Sequence, residues 1–376
     1  MSLAFDVYQP RKIVNVHKHV DGPWFWNRYS AHPYVGCRSG CEFCYLRGGR
    51  YLGKRDPSTF DTLIQVKSNS PDLLRKELGR LTPDVISLGD WQQPAEDRYR
   101  LSRAMLEVAL ELGFPVLIVE RSPLLVRDVD LLVEIQKKSW VCVVWSFSNL
   151  DPALKRAFEP RSPGLGRRLQ AMERLAAQGI LVGASLMPIL PFVGDDEAHL
   201  EEAVVATRDH GGTFVLAGGL SMAGVQADRS LAAAATLDAS LVPRWRQMYR
   251  WQDGGPPGDG PPPDYAARLG AVVRELCSTH GLRDRIPRFI GTGPRSANRR
   301  IAERLFLKTY DLELMRAEPY RIWAYRRAAW TVDEWPKDLA GAYGTYGDKA
   351  LKELPGIGSS LAAEIGGWLR ASAPYP

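Results

Sequence analysis

Several things are scarce in this chain, and each scarcity excludes something. No apolar run approaches the roughly 18 residues that a membrane-spanning helix needs, and the N-terminus carries no apolar signal core, so a cytoplasmic protein is expected. Cysteine is rare, five in 376 residues, and the count is odd. That rules against a disulfide framework and for a reducing compartment. No G-x-G-x-x-G turn follows the first expected strand, which removes the dinucleotide-binding fingerprint. Neither sign of charge dominates: the net charge is +6, with 45% apolar and 24% charged residues. This is the composition of an ordinary globular chain, long enough for two or three domains.

The cysteine that is present lies together. Cys37, Cys41 and Cys44 fall in one short stretch, Cys37-Arg-Ser-Gly-Cys41-Glu-Phe43-Cys44, with Tyr45 next. Thiolates this close can converge on one centre, and soft sulfur donors select an iron–sulfur cluster, zinc or cuprous copper. A structural zinc site wants a fourth ligand nearby, and the nearest imidazole, His32, stands before the loop on an expected strand. Three thiolates on four irons would leave one iron open to an outside molecule. A zinc knuckle and three unrelated core cysteines are the alternatives. Residues 1–60 carry nine Lys/Arg against four Asp/Glu, and Arg38, Arg47, Arg50, Lys54 and Arg55 crowd the loop. Such a field attracts a polyanion; a solvated surface that aids solubility is the plainer reading.

Along the chain, residues 1–23 read as an irregular lead-in and 24–35 as a first strand leading into the cysteine loop. Strands over 84–88, 116–119, 140–146, 180–187 and 213–216 then alternate with helices near 72–80 and over 98–112, 126–137, 164–178 and 197–209. Strict α/β alternation with short links implies right-handed crossovers and a parallel sheet, here a partial (β/α)6 TIM-type barrel or, alternatively, an open doubly wound sheet. Either way ligands bind at the C-terminal strand ends. Those ends carry Gly89-Asp90-Trp-Gln-Gln-Pro-Ala-Glu96, Glu120-Arg121-Ser-Pro123, Ser146-Phe-Ser148 and Leu186-Met187-Pro188. The expected partition is lead-in 1–23, barrel 24–225, helical extension and linker 226–294, and a helical domain 295–376. The extension contains a helix over 231–251, a Gly/Pro-rich loop over 253–263 and a helix near 264–280.

Together and in order, the cysteine loop, the Gly89–Glu96 stretch, Arg121-Ser-Pro-Leu, Glu159-Pro-Arg-Ser-Pro and Met187-Pro-Ile-Leu-Pro resemble the radical S-adenosylmethionine (SAM) superfamily, specifically its spore photoproduct lyase-like group. The resemblance spans about residues 30–290. It implies that Cys37, Cys41 and Cys44 ligate a 4Fe-4S cluster whose open iron chelates SAM, with Phe43 near the adenine. It further implies that Gly89 and Asp90 meet the methionyl amine, Arg121 the carboxylate, Ser146 the ribose, and that Met187 lines the cofactor site. The group commonly has lysine where Arg121 stands, and a guanidinium can make two parallel hydrogen bonds there. An electron donor such as flavodoxin or ferredoxin, and a monomeric enzyme, complete the picture. Two departures matter. In spore photoproduct lyase a cysteine ending the second strand donates the closing hydrogen atom, whereas residues 84–96 contain none and Ser87 stands near that position. The aromatic before the last cluster cysteine is Phe43 rather than tyrosine. Tyr45 and Cys142 remain as hydrogen-atom relays, Cys142 being more simply a small buried hydrophobe.

The C-terminal stretch follows other rules. Leu354-Pro-Gly356-Ile-Gly358-Ser359-Ser360, ahead of Ala362 and Ile365, reads as a helix-hairpin-helix. Its glycines let backbone amides approach a phosphate, and the second helix begins there with its amides pointing outward. Such an element grips DNA without reading bases. With Asn298-Arg-Arg-Ile-Ala, Glu318-Pro-Tyr-Arg321-Ile-Trp-Ala-Tyr325-Arg326-Arg-Ala-Ala and Pro336-Lys-Asp-Leu, residues 298–370 resemble the N-terminal domain of family X DNA polymerases. That resemblance implies phosphate contacts from Arg321, Tyr325 and Arg326. The family's Schiff-base lysine is replaced by Glu364 and a neighbouring lysine by Ser360, so binding without lyase activity is expected. The whole reads as a radical SAM enzyme abstracting hydrogen from a damaged or modified nucleotide in DNA, at a gap or end or on an extruded base. A peptide- or small-molecule-modifying enzyme whose tail binds protein is the alternative.

Overall fold

The structure, a computed structural model, describes residues 3–20, 25–91, 94–253, 255–256, 258–293 and 295–371, the side chains at 49 and 50 excepted. The chain divides into two compact units, Met1–His17 with Asn27–Ile286, and Lys18–Trp26 with Pro287–Pro376. Among the described residues the strands are β1 (Ala4–Tyr8), β2 (Asn15–Val16), β3 (Tyr29–Ala31), β4 (Tyr34–Val35), β5 (Leu63–Lys67), β6 (Ile86–Leu88), β7 (Val116–Glu120), β8 (Val141–Phe147), β9 (Leu181–Ile189) and β10 (Val215–Gly219).

The main sheet of the first unit has the order β10-β9-β8-β7-β6-β3-β2. Strands β3 and β6 to β10 are parallel and neighbour one another in chain order, and β2 adds antiparallel to β3. This is the partial (β/α)6 barrel. Its strands are apolar on both faces, as a sheet covered on both sides requires; every residue of β8 is buried. Val141, Val143, Trp145 and Phe147 join the core beneath the outer helices, leaving Cys142, Val144 and Ser146 on the inward row. Helix Leu101–Leu112 shows how the cover forms. Met105, Leu106, Val108 and Ala109 face the sheet, and Gly113 ends the helix in the left-handed conformation at φ 72. No helix of the described residues is long and apolar enough to cross a membrane.

Several local expectations are corrected. The lead-in holds two strands: β1 pairs parallel with β5 in a second sheet of order β1-β5-β4, and β2 pairs with β3. The strand expected over 24–35 begins at Trp24, outside the described residues, and the rest divides into β3 and β4 in different sheets. Pro33 lies between them and has no N–H for a ladder. The helix expected over 98–112 breaks at Arg100, whose φ of 53 no α-helix accommodates. Helices Gly224–Leu237 and Leu241–Met248 replace the one expected over 231–251, with the Asp238 carboxylate accepting from Ser240 N (2.8 Å) between them.

In the second unit, helices Ser296–Leu314 and Pro319–Glu334 pack together and are followed by Leu339–Tyr346, Asp348–Lys352 and Ser359–Arg370. The Lys18–Trp26 segment straps this unit. His19 stacks on Trp330 at 4.3 Å and meets Glu334 at 2.9 Å, Trp330 Nε1 donates to Val20 O (3.1 Å), and Trp26 lies edge-on to Phe306.

Candidate functional site

The cysteine loop leaves β4 at Gly36, whose φ is 99. A Cβ there would meet Phe60 O at 2.7 Å, so only glycine fits. Cys37 N donates to Phe60 O and Glu42 N to Phe158 O, both at 2.9 Å; Gly40 N to Cys37 O and Cys44 N to Cys41 O close the turns. Gly40 makes room for the Arg161 guanidinium, which reaches across it to Asp61 and donates from Nε to Arg38 O (3.0 Å). The Glu159-Pro-Arg161 turn is thus a latch on the loop. Cys41 and Phe43 are buried in an apolar cluster with Phe158, Leu190, Met222 and Trp245.

Burial pushes all three thiols up, Cys41 to about 12 even with Arg121 pulling the other way, and Cys37 and Cys41 also feel the charge of Cys44. Among the described residues no three His, Cys, Asp or Glu side chains are set to hold one metal ion. His32 does not join the thiols; its Nδ1 donates to Gly89 O (2.9 Å).

Arg121, at the end of β7, connects the loop to the strand ends. Its Nη1 donates to Cys41 Sγ (2.8 Å), its Nη2 and Nε to Ser146 Oγ (3.0 and 3.2 Å), and its guanidinium lies over the Phe43 ring at 5.3 Å. Burial works against its charge, but Glu159 and the thiols more than offset that, so Arg121 stays protonated. Glu159 is itself fully buried. It accepts from Arg168 Nη2 (2.5 Å), Ser148 Oγ (2.7 Å) and Ser162 Oγ (2.9 Å). Burial pushes its carboxyl up, yet Arg121 and Arg168 bring it down to about 2. Arg168 Nη1 also donates to Ser146 O (2.9 Å), fixing Ser146 through its backbone.

The turn after β6 is equally determined. At Gly89 (φ 81) a Cβ would strike the Trp91 ring. Asp90 N donates to Ser102 Oγ (3.0 Å), which returns a hydrogen bond to Asp90 O (2.9 Å), and the Asp90 charge raises the Cys37 thiol. Two carboxylates missed by sequence reasoning hold this turn. Glu120 accepts from Trp91 N (2.7 Å), Arg121 N (2.6 Å) and Ser122 N (2.9 Å). Glu96 accepts from Tyr34 Oη (2.7 Å), Ser102 N (2.9 Å) and Arg127 Nη2 (2.6 Å). The signal was present for Glu120, an acidic residue closing the otherwise apolar strand β7. Gln92 and Gln93 lie outside the described residues.

Met187 lies on β9 two residues beyond Ser185, which is in register with Ser146. Tyr45 is 56% exposed and packs edge-on against Tyr51. Cys142, the other expected relay, lies inside β8. It sits four residues, roughly 13 Å along β8, below Ser146, in register with Leu117 and Leu181, and is fully buried. Burial alone raises its thiol. The inward layer of Leu117 also contains Ser87, on β6.

In the hairpin Leu354 and Ile357 are buried, while Gly356 (φ 79), Gly358, Ser359 and Ser360 are exposed. Ala362 N bonds Gly358 O (2.9 Å), so the first amides of helix Ser359–Arg370 lack intrahelical partners. Arg321 is exposed, but Tyr325 Oη donates to Glu364 Oε2 (2.6 Å) and Arg326 pairs with Glu313 (2.5 Å) with 17% of its side chain exposed. Two expected phosphate contacts are thus engaged within the unit.

The architecture is a partial (β/α)6 barrel with three thiols on the loop after β4, followed by a helical domain that ends in a helix-hairpin-helix. Residues 296–372 match the family described as helix-hairpin-helix domain. Among solved structures, a spore photoproduct lyase variant is similar with a TM-score of 0.55 at 16% identity, over 74% of this chain and 81% of that one. Spore photoproduct lyase complexed with dinucleoside spore photoproduct gives 0.54, at the same identity and coverage. At such identity the likeness is one of fold. The chain belongs to the family of the Mycobacterium tuberculosis Uncharacterized protein Rv2578c, to which it is 30% identical over 263 residues, 68% of this chain and 75% of that protein. It is also similar to Uncharacterized protein MJ0683 of Methanocaldococcus jannaschii, 29% identical over 171 residues, 45% of this chain and 63% of that one.

Proposed function

We propose that this chain is a radical SAM enzyme acting on DNA. The observation that carries the reading is Arg121, a protonated guanidinium held between Cys41 and Ser146 over Phe43, where the thiol loop meets the strand ends. The donor set fits the implied cluster: three thiols on one loop suited to iron–sulfur chemistry, with a further guanidinium, Arg47, buried beside them without a hydrogen-bond partner. When bound, the cluster and SAM supply a 5′-deoxyadenosyl radical on one-electron reduction, the electron coming from a donor such as flavodoxin or ferredoxin.

Cys37, Cys41 and Cys44 hold the cluster. Arg121 offers its fork to the methionyl carboxylate, and Asp90, on a turn fixed by Glu120 and Ser102, offers its carboxylate to the amine. Ser146 faces the ribose, Phe43 the adenine, and Met187 lines the same edge. Glu159 and Arg168 act through others, the first keeping Arg121 charged and the second holding Ser146 in place. The hairpin amides near Gly356 and Gly358 take DNA phosphates, and the reacting nucleotide leaves the stack to reach the barrel mouth. With no cysteine among residues 84–96, closure of the reaction differs from that of spore photoproduct lyase, and the substrate is a damaged or modified nucleotide other than the spore photoproduct.

The test is anaerobic incubation of the full chain with reductant, SAM and defined oligonucleotides, read by mass spectrometry. Formation of 5′-deoxyadenosine that rises with DNA is expected. A colourless protein holding zinc and no iron would overturn the radical reading. Turnover indifferent to DNA, together with no DNA binding at low salt, would move the substrate to peptides or small molecules.

A further inference from the structure

The charges around the cysteine loop do not balance. Arg47, three residues after Cys44, has 1% of its surface exposed, and none of its three guanidinium nitrogens makes a hydrogen bond. Its contacts are the face of the Phe60 ring at 4.8 Å and Asp61 Oδ1 at 3.7 Å, beyond hydrogen-bonding reach. The nearby acids are committed elsewhere, Asp61 to Arg161 and Glu42 to Arg229 (2.7 Å). Burial and Arg229 disfavour the charge on Arg47, while Asp61, the Cys44 thiol and Glu42 favour it. One buried cation is therefore left over beside the loop. A buried guanidinium without acceptors is costly, and an anion in direct reach is what normally compensates it.

We infer that Arg47 is the cation that compensates the cluster and sets its reduction potential by donating to cluster sulfur. The inference rests on the radical SAM reading above. A 4Fe-4S core on three thiolates carries one net negative charge when oxidised and two after accepting one electron, and hydrogen bonds to the sulfurs tune its potential. A neighbouring cation stabilises the more negative state more. Arg47 thus raises the potential and eases electron entry, and Phe60 and Asp61 keep the guanidinium in position.

The test is an EPR-monitored redox titration of the anaerobically loaded full chain with dithionite as the one-electron source. In Arg47→Gln the reduced-to-oxidised ratio at the wild-type midpoint is expected to fall roughly tenfold, a shift of about 59 mV downward for one electron. Arg47→Lys, which keeps the charge, recovers most of it. An Arg47→Gln protein with full iron content and an unchanged midpoint overturns the inference. Should that variant fail to hold iron, an Arg47→Lys protein that keeps its iron but shows the full tenfold fall overturns it instead. A wild-type chain that takes up no iron overturns the radical SAM reading, and this inference falls with it; an unmoved midpoint in an iron-bearing protein overturns only this inference.

Discussion

The cysteine loop and the C-terminal hairpin both turn on glycine, for opposite reasons. At Gly36 and Gly40 the space of a side chain is already filled, by Phe60 O and by the Arg161 guanidinium. At Gly356 and Gly358 nothing lies within 4 Å of where a Cβ would stand. In the first region glycine is demanded by neighbours within the fold; in the second Gly356 is demanded by its left-handed backbone, and Gly358 leaves the space before its amide open. One is assembled inward and held by buried charge, the other presents bare amides. Substitution should therefore damage folding and loading in the loop, and binding alone in the hairpin.

The largest effect is expected at Gly40→Ala. Its methyl group displaces Arg161 and releases the latch, so iron content after anaerobic loading should fall to near zero by metal analysis; a fully loaded variant would contradict the latch. Glu159→Gln comes next. Leaving Arg168 buried without its counter-charge costs about 3–5 kcal/mol, measurable by denaturant titration. Because the Glu159 carboxyl is held down at about 2, its contribution is present above the usual glutamate range and is lost as pH falls toward 2. The wild-type and variant stability curves should accordingly converge in acid. A parallel pair of curves would remove Glu159 from the charge network.

Gly358→Val sharpens the other half. Its φ of −82 is ordinary for any residue, so the melting temperature should hold while the added side chain blocks phosphate approach and DNA affinity drops roughly tenfold, the scale of a lost charge-assisted contact. A matching fall in stability would make Gly358 a packing residue. The smallest effect is expected at Glu364→Gln. Removing a surface carboxylate that repels phosphate is worth on the order of 0.5 kcal/mol, a gain of about twofold in affinity at low salt, fading as salt rises.

The sequence disclosed the repeating architecture because β8 and the long helices have unambiguous periods. It disclosed the cysteines because three thiols in one loop have few other uses. The strands β1, β2 and β5 were not legible, since segments this short depend on partners far along the chain, as β1 and β5 do on each other. Glu96, Glu120 and Glu159 stood inside quoted motifs, but their roles arise from donors that the fold brings from other elements, Arg127, Trp91 and Arg168. Arg326 illustrates the converse. Its motif suggested a phosphate contact, and Glu313, on the preceding helix, engages it instead.

The Lys18–Trp26 strap carries a consequence for how the chain is made. It belongs to the second unit but is synthesised before residues 27–286, while Trp330 and Glu334, which receive it, come after them. At ribosomal rates of about 5–20 residues per second it waits roughly 15–60 s for those partners. Through that interval His19 and Trp26 emerge without their ring partners, and the second unit closes only after Glu334 has been made. A fragment begun at Pro287 never receives the strap at all, so an excised hairpin domain would start with one face of Trp330 uncovered.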